Sequence, residues 1–308
     1  MSGPQTRIAA LLLAAMSALL IWWGWKQGAY FDSVFYPGAL FVYLFLALLL
    51  MLVPFKAHLR GPARVAFFAL LALALWMALS ALWSPIPAAA VRYAQHGLLY
   101  LAVFAIGLWA TNLLGPRMPA AMTPLAIAGA AIGIATVVVL ATGTDVTWYL
   151  HEDATLRFPI GYRNANAAFF LICLWPLLSL VVESNWRWGV RALLIGTGTV
   201  LFELTFLAQS RGSVPAAALA LLVFLALSRD RLRASALLAL IVLPALPALP
   251  TLLEVYRHGS ADPAVVPLLR DAARAIGLTA ALSVVLAALA LGSVSPRLRL
   301  SERAASGI

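Results

Sequence analysis

The sequence has little charge. Only 10% of its 308 residues are Asp, Glu, Lys or Arg, and 64% are hydrophobic. A soluble domain is typically about 25% charged, and a water-soluble core cannot bury this share of apolar side chains. The apolar residues form long unbroken runs, which excludes the short alternating segments of a transmembrane β-barrel. The sequence therefore predicts an all-α polytopic membrane protein with a single transmembrane domain, residues 1–308.

Cysteine and clustered metal ligands are also scarce. The one cysteine, Cys173, lies in an apolar run, which excludes an intrachain disulfide and a site built on several thiolates. His96 and His151 have no second histidine or acid at ligand spacing, so we expect no metal site and no cofactor. The net charge of +10 does not indicate a nucleic-acid partner, because the basic residues lie at the ends of apolar runs, where they orient a membrane protein.

The apolar runs predict a bundle of about ten transmembrane helices, since each span needs about 20 apolar residues. The predicted spans are residues 8–25, 37–53, 65–82, 93–110, 124–142, 165–182, 192–208, 214–227, 234–253 and 272–291. The first could instead be a cleaved signal peptide. Its end at Trp22, Trp23 and Trp25 is more typical of a retained helix at the membrane interface.

The distribution of basic residues predicts the orientation. With the N-terminus in the cytoplasm, 13 of the 21 basic residues fall in inner segments, and most of the acids fall outside. This bias agrees with the positive-inside rule. We therefore expect a multi-pass protein of the cytoplasmic (inner) membrane, in contact with membrane lipids, with both termini in the cytoplasm.

One arginine interrupts two long apolar runs, in the segment Gln209-Ser210-Arg211-Gly212-Ser213. A charge in this position is costly near lipid, so Arg211 should face water or an anionic partner. One interpretation is that Arg211 lies at the outer rim of the bundle and holds the phosphates of a lipid-linked donor. The alternative is that it only extends to the lipid headgroups.

A second basic segment opens the sixth span. The predicted outer connection 143–163 ends in Arg163, followed by Asn164 and Asn166. The sixth and eighth spans would both begin on the outer face, where helix N-termini carry unpaired N–H groups and partial positive charge. The predicted diphosphate-binding residues are therefore Arg211, Arg163, Ser210, Gly212, Asn164 and Asn166. Alternatively, Arg163 pairs with a loop acid, and the asparagines only cap the helix.

Two further polar residues have open interpretations. Glu203 lies inside a span, and its angle around the helix from Arg211 disfavours a direct pair between them. It either faces the bundle interior, protonated or hydrogen-bonded, or lines a polar path. His258, in the predicted outer loop 254–271, is a candidate general base for a hydroxyl acceptor, or an exposed loop residue.

Three motifs, taken in order, resemble the O-antigen ligase and polymerase family. They are Leu82-Trp83-Ser84-Pro85, Gly161-Tyr162-Arg163-Asn164-Ala165-Asn166 and Gln209-Ser210-Arg211-Gly212. The resemblance implies a GT-C-like membrane glycosyltransferase. Such an enzyme takes a glycan from undecaprenyl diphosphate on the outer face and passes it to a lipid, a protein or a polysaccharide. Arg211 would match the family arginine that grips the donor diphosphate, and neither a nucleotide sugar nor a metal would be needed.

The sequence departs from this family in one respect. Family members carry a large outer loop late in the chain, whereas the last predicted outer loop here is the short segment 254–271. Two other functions therefore stay open: a multi-span transporter or lipid-handling permease, and a truncated, non-catalytic relative. A permease would need polar residues within several spans, and Glu203 is the clear example.

Overall fold

The computed structural model describes residues 3–52, 61–114, 121–183 and 186–305. These residues form helices joined by loops and no β-strand, apart from an isolated bridge between Leu150 and Leu156. The helices are α1 (Gly3–Trp25), α2 (Asp32–Leu52), α3 (Gly61–Leu79), α4 (Pro87–Leu114), α5 (Thr123–Thr142), α6 (Arg163–Glu183), α7 (Trp188–Leu207), α8 (Ser213–Leu227), α9 (Arg231–Ala245), α10 (Leu249–Val255) and α11 (Val265–Ala305). The prediction of an all-α polytopic membrane protein is confirmed.

The helices follow the predicted apolar runs. Within the described residues, 8 helical segments are long and apolar enough to cross a membrane, and the apolar parts of α1 and α8, Ala10–Trp25 and Ser213–Leu227, are shorter. The predicted ninth span is divided into α9 and α10 by a 3-10 turn at Leu246–Ala248, and the two together form one candidate span. Residue 53, the predicted end of the second span, lies outside the described residues. The inner-membrane location and the cytoplasmic termini stay predictions.

The chain divides into two compact units. The first comprises the described residues within Met1–Ala15 and Ala29–Ala121, in which α4 packs against α2 and α3. An ion pair between Arg92 and Asp32, with an N–O distance of 2.8 Å, joins α4 to the start of α2. Only 6% of the spanning part of α3 is buried, so the outer surface of this helix is suited to lipid contact.

The second unit comprises the described residues within Met16–Gly28 and Met122–Ile308, and α7 lies at its centre. Helix α7 contacts α5, α6, α9, α10 and α11, and 61% of its spanning part is buried. Glycines allow these contacts to be close. A Cβ atom added at Gly133 would lie 2.8 Å from the Leu201 side chain, and one added at Gly198 would lie 2.7 Å from Ile241. Small residues at helix contacts are typical of membrane bundles, where close packing replaces the hydrophobic effect.

Glu203 is fully buried inside this unit. The Thr279 hydroxyl oxygen of α11 lies 2.8 and 2.9 Å from its two carboxyl oxygens. A second polar contact links the same helices, where the Thr199 hydroxyl donates to Ser283 over 2.7 Å. The interpretation of Glu203 as a hydrogen-bonded group facing the bundle interior is confirmed.

Candidate functional site

The connection between α5 and α6 is a compact loop held by its own backbone. A short 3-10 helix, Val146–Tyr149, opens the loop, and the chain then folds back through the Leu150–Leu156 bridge. The N–H of Arg157 donates to the Tyr149 carbonyl over 2.8 Å. These contacts hold the backbone of the loop before α6 begins.

Asn166 anchors this loop from the first turn of α6. Its side chain is fully buried, and its Oδ1 accepts the Ile160 N–H over 2.9 Å. Its Nδ2 donates to the carbonyls of Leu156 and Arg157 over 2.7 and 3.0 Å. Both polar atoms of the side chain are therefore occupied within the protein. Asn166 was predicted to bind the diphosphate or to cap the helix, but its side chain instead holds the backbone of the preceding loop.

The loop and the start of α6 enclose a polar cleft of about 580 Å³. Its lining residues are Leu150, His151, Glu152, Asp153, Thr155, Arg157, Tyr162 and Arg163. Arg163 donates from Nη1 to Asp153 Oδ2 over 2.9 Å, so the alternative in which Arg163 pairs with a loop acid is the one observed. Asn164 is exposed and donates to the Tyr162 hydroxyl over 2.9 Å.

The titratable groups of the polar cleft are shifted by their surroundings. A hydrogen bond from the Thr155 hydroxyl to Asp153, 2.7 Å long, is the main cause that lowers the pKa of Asp153, and the charge of Arg163 adds to it. Partial burial lowers the pKa of His151, which favours the neutral imidazole. The cleft therefore holds an ionised acid beside a neutral histidine at neutral pH.

An apolar cavity of about 350 Å³ lies at the start of α8. Its lining residues are Leu171, Phe202, Thr205, Phe206, Gln209, Ser210, Arg211, Ser213, Val214, Ala217, Leu249 and Leu253. Arg211 is the charged member of this set, and its side chain is exposed. Within the described part of the chain, no carboxylate forms an ion pair with Arg211.

The turn between α7 and α8 places Arg211 beside this cavity. The backbone of Gln209 has a φ of 55°, in the left-handed region. The Ser213 hydroxyl donates to the Ser210 carbonyl over 2.6 Å, which closes the turn at the first residue of α8. Ser210 is buried against the cavity, while Gly212 is exposed, with open space where a side chain would lie.

The starts of α6 and α8 lie at the same end of the second unit. The two helices pack against each other, and the rings of Trp175 and Phe224 lie 5.7 Å apart. Leu171, about two turns into α6, lines the same cavity as Ser213 and Val214 at the start of α8, so the beginnings of the two helices lie on the same side. Arg163 nevertheless lines the polar cleft and Arg211 the apolar cavity, and no described residue lines both.

His258, the predicted general base, lies in the loop between α10 and α11. Its Nδ1 is 2.6 Å from Asp262 Oδ2, and its Nε2 is 3.8 Å from Glu254 Oε1, beyond hydrogen-bond range. The backbone N–H of Ala264 is the main cause that lowers the pKa of Asp262, followed by His258. The Ser260 N–H donates to the Glu152 carbonyl over 3.1 Å, which ties this loop to the edge of the polar cleft.

Gln209 is the site residue that the sequence analysis did not single out. Its Nε2 atom is buried beside the apolar cavity and has no hydrogen-bond partner in the described residues. The motif that contains Gln209 is visible in the sequence, but neither the backbone angle of this residue nor its missing partner can be deduced from residue types. The described residues also contain no group of three or more metal-ligating side chains.

The geometry thus separates a polar cleft from an apolar cavity, each with an arginine beside the start of a helix. The apolar cavity is the candidate site for an anionic lipid, because its walls are hydrocarbon and its one charge is positive. No family model, curated protein or solved structure matches this chain.

Proposed function

We propose that the protein is a membrane glycosyltransferase similar to O-antigen ligases and polymerases. It moves a glycan from a polyprenyl-diphosphate donor to an acceptor on the outer face of the cytoplasmic membrane. The observation that carries the proposal is the position of Arg211, at an apolar cavity and without a carboxylate partner in the described residues. A lipid diphosphate has the two properties that this site complements, an apolar chain and a concentrated negative charge.

The chemistry makes charge stabilisation the main demand on the protein. The acceptor hydroxyl attacks the anomeric carbon of the donor sugar, and the bond from that carbon to the diphosphate oxygen breaks. Polyprenyl diphosphate leaves with the bonding electrons, so negative charge builds up on its oxygens. Arg211 neutralises that charge with a planar fork of N–H donors. The start of α8, two residues further on, adds partial positive charge.

Arg163 has a different role in this proposal. Its guanidinium is paired with Asp153, and binding a phosphate there would require the ion pair to open. The polar cleft that it lines suits a hydroxyl-rich sugar, for which carboxylate, imidazole and guanidinium groups are hydrogen-bonding partners. We therefore assign the donor diphosphate to Arg211. The hydrophilic part of the substrates is assigned to the region of the polar cleft, near Arg163 and Asn164.

His258 is the general base of the proposed reaction. Asp262 accepts a hydrogen bond from Nδ1–H in the tautomer that we assign, which leaves the Nε2 lone pair to take the proton of the acceptor hydroxyl. In this arrangement the Asp262 carboxylate fixes the orientation of the His258 imidazole. The hydrogen bond between Ser260 and Glu152 supports the assignment, because it keeps this loop beside the polar cleft.

Replacement of Arg211 by alanine tests the proposal. We expect the variant to reach normal protein levels and to lose glycan transfer by about 100-fold or more, because one preorganised donor to a developing oxyanion contributes about that factor. The measurement is the release of glycan-free polyprenyl diphosphate by purified protein given a lipid-linked glycan and an acceptor. Arg274→Ala is the matched control, because Arg274 is exposed and pairs with Asp271 of its own helix. Normal transfer by Arg211→Ala would remove Arg211 from the mechanism.

The release assay also separates the rival functions. A permease would move the lipid-linked glycan without releasing polyprenyl diphosphate, and a non-catalytic relative would bind the lipid without turnover. Glu203, the residue that favoured a permease, is hydrogen-bonded to Thr279 and lines neither the apolar cavity nor the polar cleft. Its surroundings therefore give a transport path no support.

A further inference from the structure

The second unit carries a group of arginines at the end away from the polar cleft and the apolar cavity. They lie on two connections, the one that leads into α7 and the one that leads into α9. The members of this group, which we call the arginine cluster, are Arg187, Arg191, Arg229, Arg231 and Arg233. Nε of Arg191 donates to the Val181 carbonyl over 3.0 Å, which places the cluster at the end of α6, whereas the polar cleft lies at its start.

The two connections come together because α7 and α9 run side by side. Near the starts of the two helices, the positive charge of Arg233 acts on the Arg191 guanidinium. About two turns further along both helices, the Thr199 hydroxyl oxygen lies 3.4 Å from the Ile241 carbonyl oxygen. Two contacts in the same order along both helices mean that the helices are parallel, so their first residues form one positively charged surface.

The positive charge of this surface is not neutralised by acids in the described residues. The connections, residues 183–191 and 228–233, contain five arginines and two acids, Glu183 and Asp230. The Asp230 Oδ1 caps α9 by accepting the Arg233 N–H over 3.0 Å. Within the part of the chain that the structure describes, no carboxylate forms an ion pair with the arginine cluster, and the arginines of this unit that do pair lie towards its other end.

The five arginines differ in how much of the side chain is available to a partner. Arg191 is bound to the end of α6, and its Nη2 is enclosed by protein, so we assign it no contact with a ligand. Arg231 donates from Nη2 to a carbonyl near the end of α8 over 3.3 Å. Arg187, Arg229 and Arg233 are exposed, and their guanidinium groups have no hydrogen-bond acceptor among the described residues.

Exposed apolar side chains lie directly beside these three arginines. Leu227 is 79% exposed and Leu232 is 86% exposed, and the Trp188 indole is also exposed. A soluble anion would leave both leucines in water, whereas a lipid covers them with its acyl chains. Tryptophan at the edge of an apolar helix is typical of the membrane interface. The surroundings of the arginine cluster therefore suit a partner that is anionic at one end and apolar at the other.

We propose that the arginine cluster binds the headgroup of an anionic phospholipid. Arg187, Arg229 and Arg233 donate to its phosphate oxygens, and Leu227 and Leu232 contact its acyl chains. Guanidinium groups match phosphate oxygens in geometry, and basic pockets between membrane helices are suited to such headgroups. This site is separate from the apolar cavity and does not rest on the proposed function.

Binding of three probes to the purified full-length protein in a neutral detergent tests the site. Phosphatidylglycerol carries the charge and the acyl chains, phosphatidylcholine carries the chains without net charge, and inorganic phosphate carries the charge alone. The rise in melting temperature with probe concentration measures each affinity. Phosphatidylglycerol should bind at least about 10-fold more tightly than either other probe. Salt raised from about 0.1 M to about 1 M should remove most of this preference, because the screening length falls from about 10 Å to about 3 Å.

The double variant Arg229→Gln, Arg233→Gln tests the residues. It should bind phosphatidylglycerol about 10-fold more weakly or worse and leave phosphatidylcholine within about 2-fold, since each basic residue near anionic lipid contributes about 5-fold. The matched control, Lys26→Gln with Arg274→Gln, removes two exposed positive charges towards the other end of the unit and should stay within about 2-fold of wild type. Lysine at positions 229 and 233 keeps the charge and should restore most of the affinity.

Three outcomes would overturn the site. Equal wild-type affinity for phosphatidylglycerol and phosphatidylcholine would mean that these arginines only orient the chain in the membrane. An equal loss in the control variant would mean that net charge, not this surface, attracts the lipid. Displacement of phosphatidylglycerol by inorganic phosphate at equal concentration would exclude any part for the leucines. If the glutamine variant is not produced, the lysine variant and the salt dependence of wild type decide between the same outcomes.

Discussion

Arg163 and Arg211 are the same residue type, each lies at the start of a helix, and the two helices begin at the same end of one unit. Their surroundings differ. Arg163 lines a polar cleft and forms an ion pair with Asp153, whose side chain is 51% exposed. Arg211 borders hydrocarbon walls and has no carboxylate partner among the described residues.

The difference decides which arginine is available to a ligand. A guanidinium paired with an internal carboxylate binds an external anion only if that anion replaces the acid. A guanidinium without such a partner, next to low-dielectric walls, interacts more strongly with an arriving charge. The sequence predicted one diphosphate site, with Arg211 as its main residue and Arg163 assisting, whereas in the structure the two arginines line separate cavities.

Giving Arg211 a carboxylate partner should remove this difference and produce the largest effect. Val214 lines the same cavity, three residues after Arg211. In Val214→Glu, the new carboxylate pairs with Arg211 and repels the donor diphosphate, so we expect glycan transfer to fall by about 100-fold or more. The measurement is the release of polyprenyl diphosphate.

Val214→Gln is the matched control, because it adds the same volume and polarity without the charge. Equal transfer by the Glu and Gln variants would show that a charge beside Arg211 does not matter, and that conclusion would contradict the proposed role of the arginine.

The polar cleft lined by Arg163 depends on the contacts that Asn166 makes with the loop backbone. Alanine substitutions at Asn166 and at Asn164 test this dependence. Asn166→Ala leaves the Ile160 N–H and the Leu156 carbonyl without their partner, whereas the Arg157 carbonyl keeps the Gly161 N–H. The cost is about 1–3 kcal/mol for each group that stays buried and unpaired. We expect a lower melting temperature and faster proteolysis within the loop. Asn164→Ala, at an exposed position in the same turn, should change stability by less than about 0.5 kcal/mol. Similar effects of the two substitutions would contradict the anchoring role.

The smallest expected effect concerns the pH range of the Arg163–Asp153 pair. Because the pKa of Asp153 is lowered in the folded loop, the carboxylate stabilises the loop above its unfolded pKa, and that contribution is lost as the pH falls through the folded value. Thr155→Val removes the hydroxyl that is the main cause of the shift. The loss should then begin at a higher pH than in wild type.

Proteolysis of the loop between about pH 3 and pH 6 measures this shift, since the usual pKa of an aspartate lies within that range. Identical profiles for wild type and Thr155→Val would mean that the Thr155 hydroxyl does not control the ionisation of Asp153.

The fold was predictable because helix length and apolar content are set by the bilayer. Each predicted run overlaps a helix over most of its described residues. The interruption at Leu246–Ala248 was missed, because the helical turns on both sides keep the same apolar pattern through a proline-rich segment. The division into two compact units was also missed, since no change in composition marks it.

The candidate site was predictable only in part. The position of Arg211 between two apolar runs follows from residue types alone. The choice of Asp153 over Glu152 as the partner of Arg163 depends on how the loop folds back through Leu150 and Leu156, which no local pattern specifies. The left-handed backbone of Gln209 and the missing partner of its buried Nε2 are likewise properties of the folded chain.

A structure determined with a polyprenyl diphosphate bound tests the central claim most directly. The proposal predicts phosphate oxygens within hydrogen-bond distance, about 3 Å, of the Arg211 guanidinium. The first isoprenoid units should lie against Phe202 and Leu249, and the Arg163–Asp153 pair should stay intact. Phosphates held by Arg163, or an Arg211 side chain directed away from them, would contradict it.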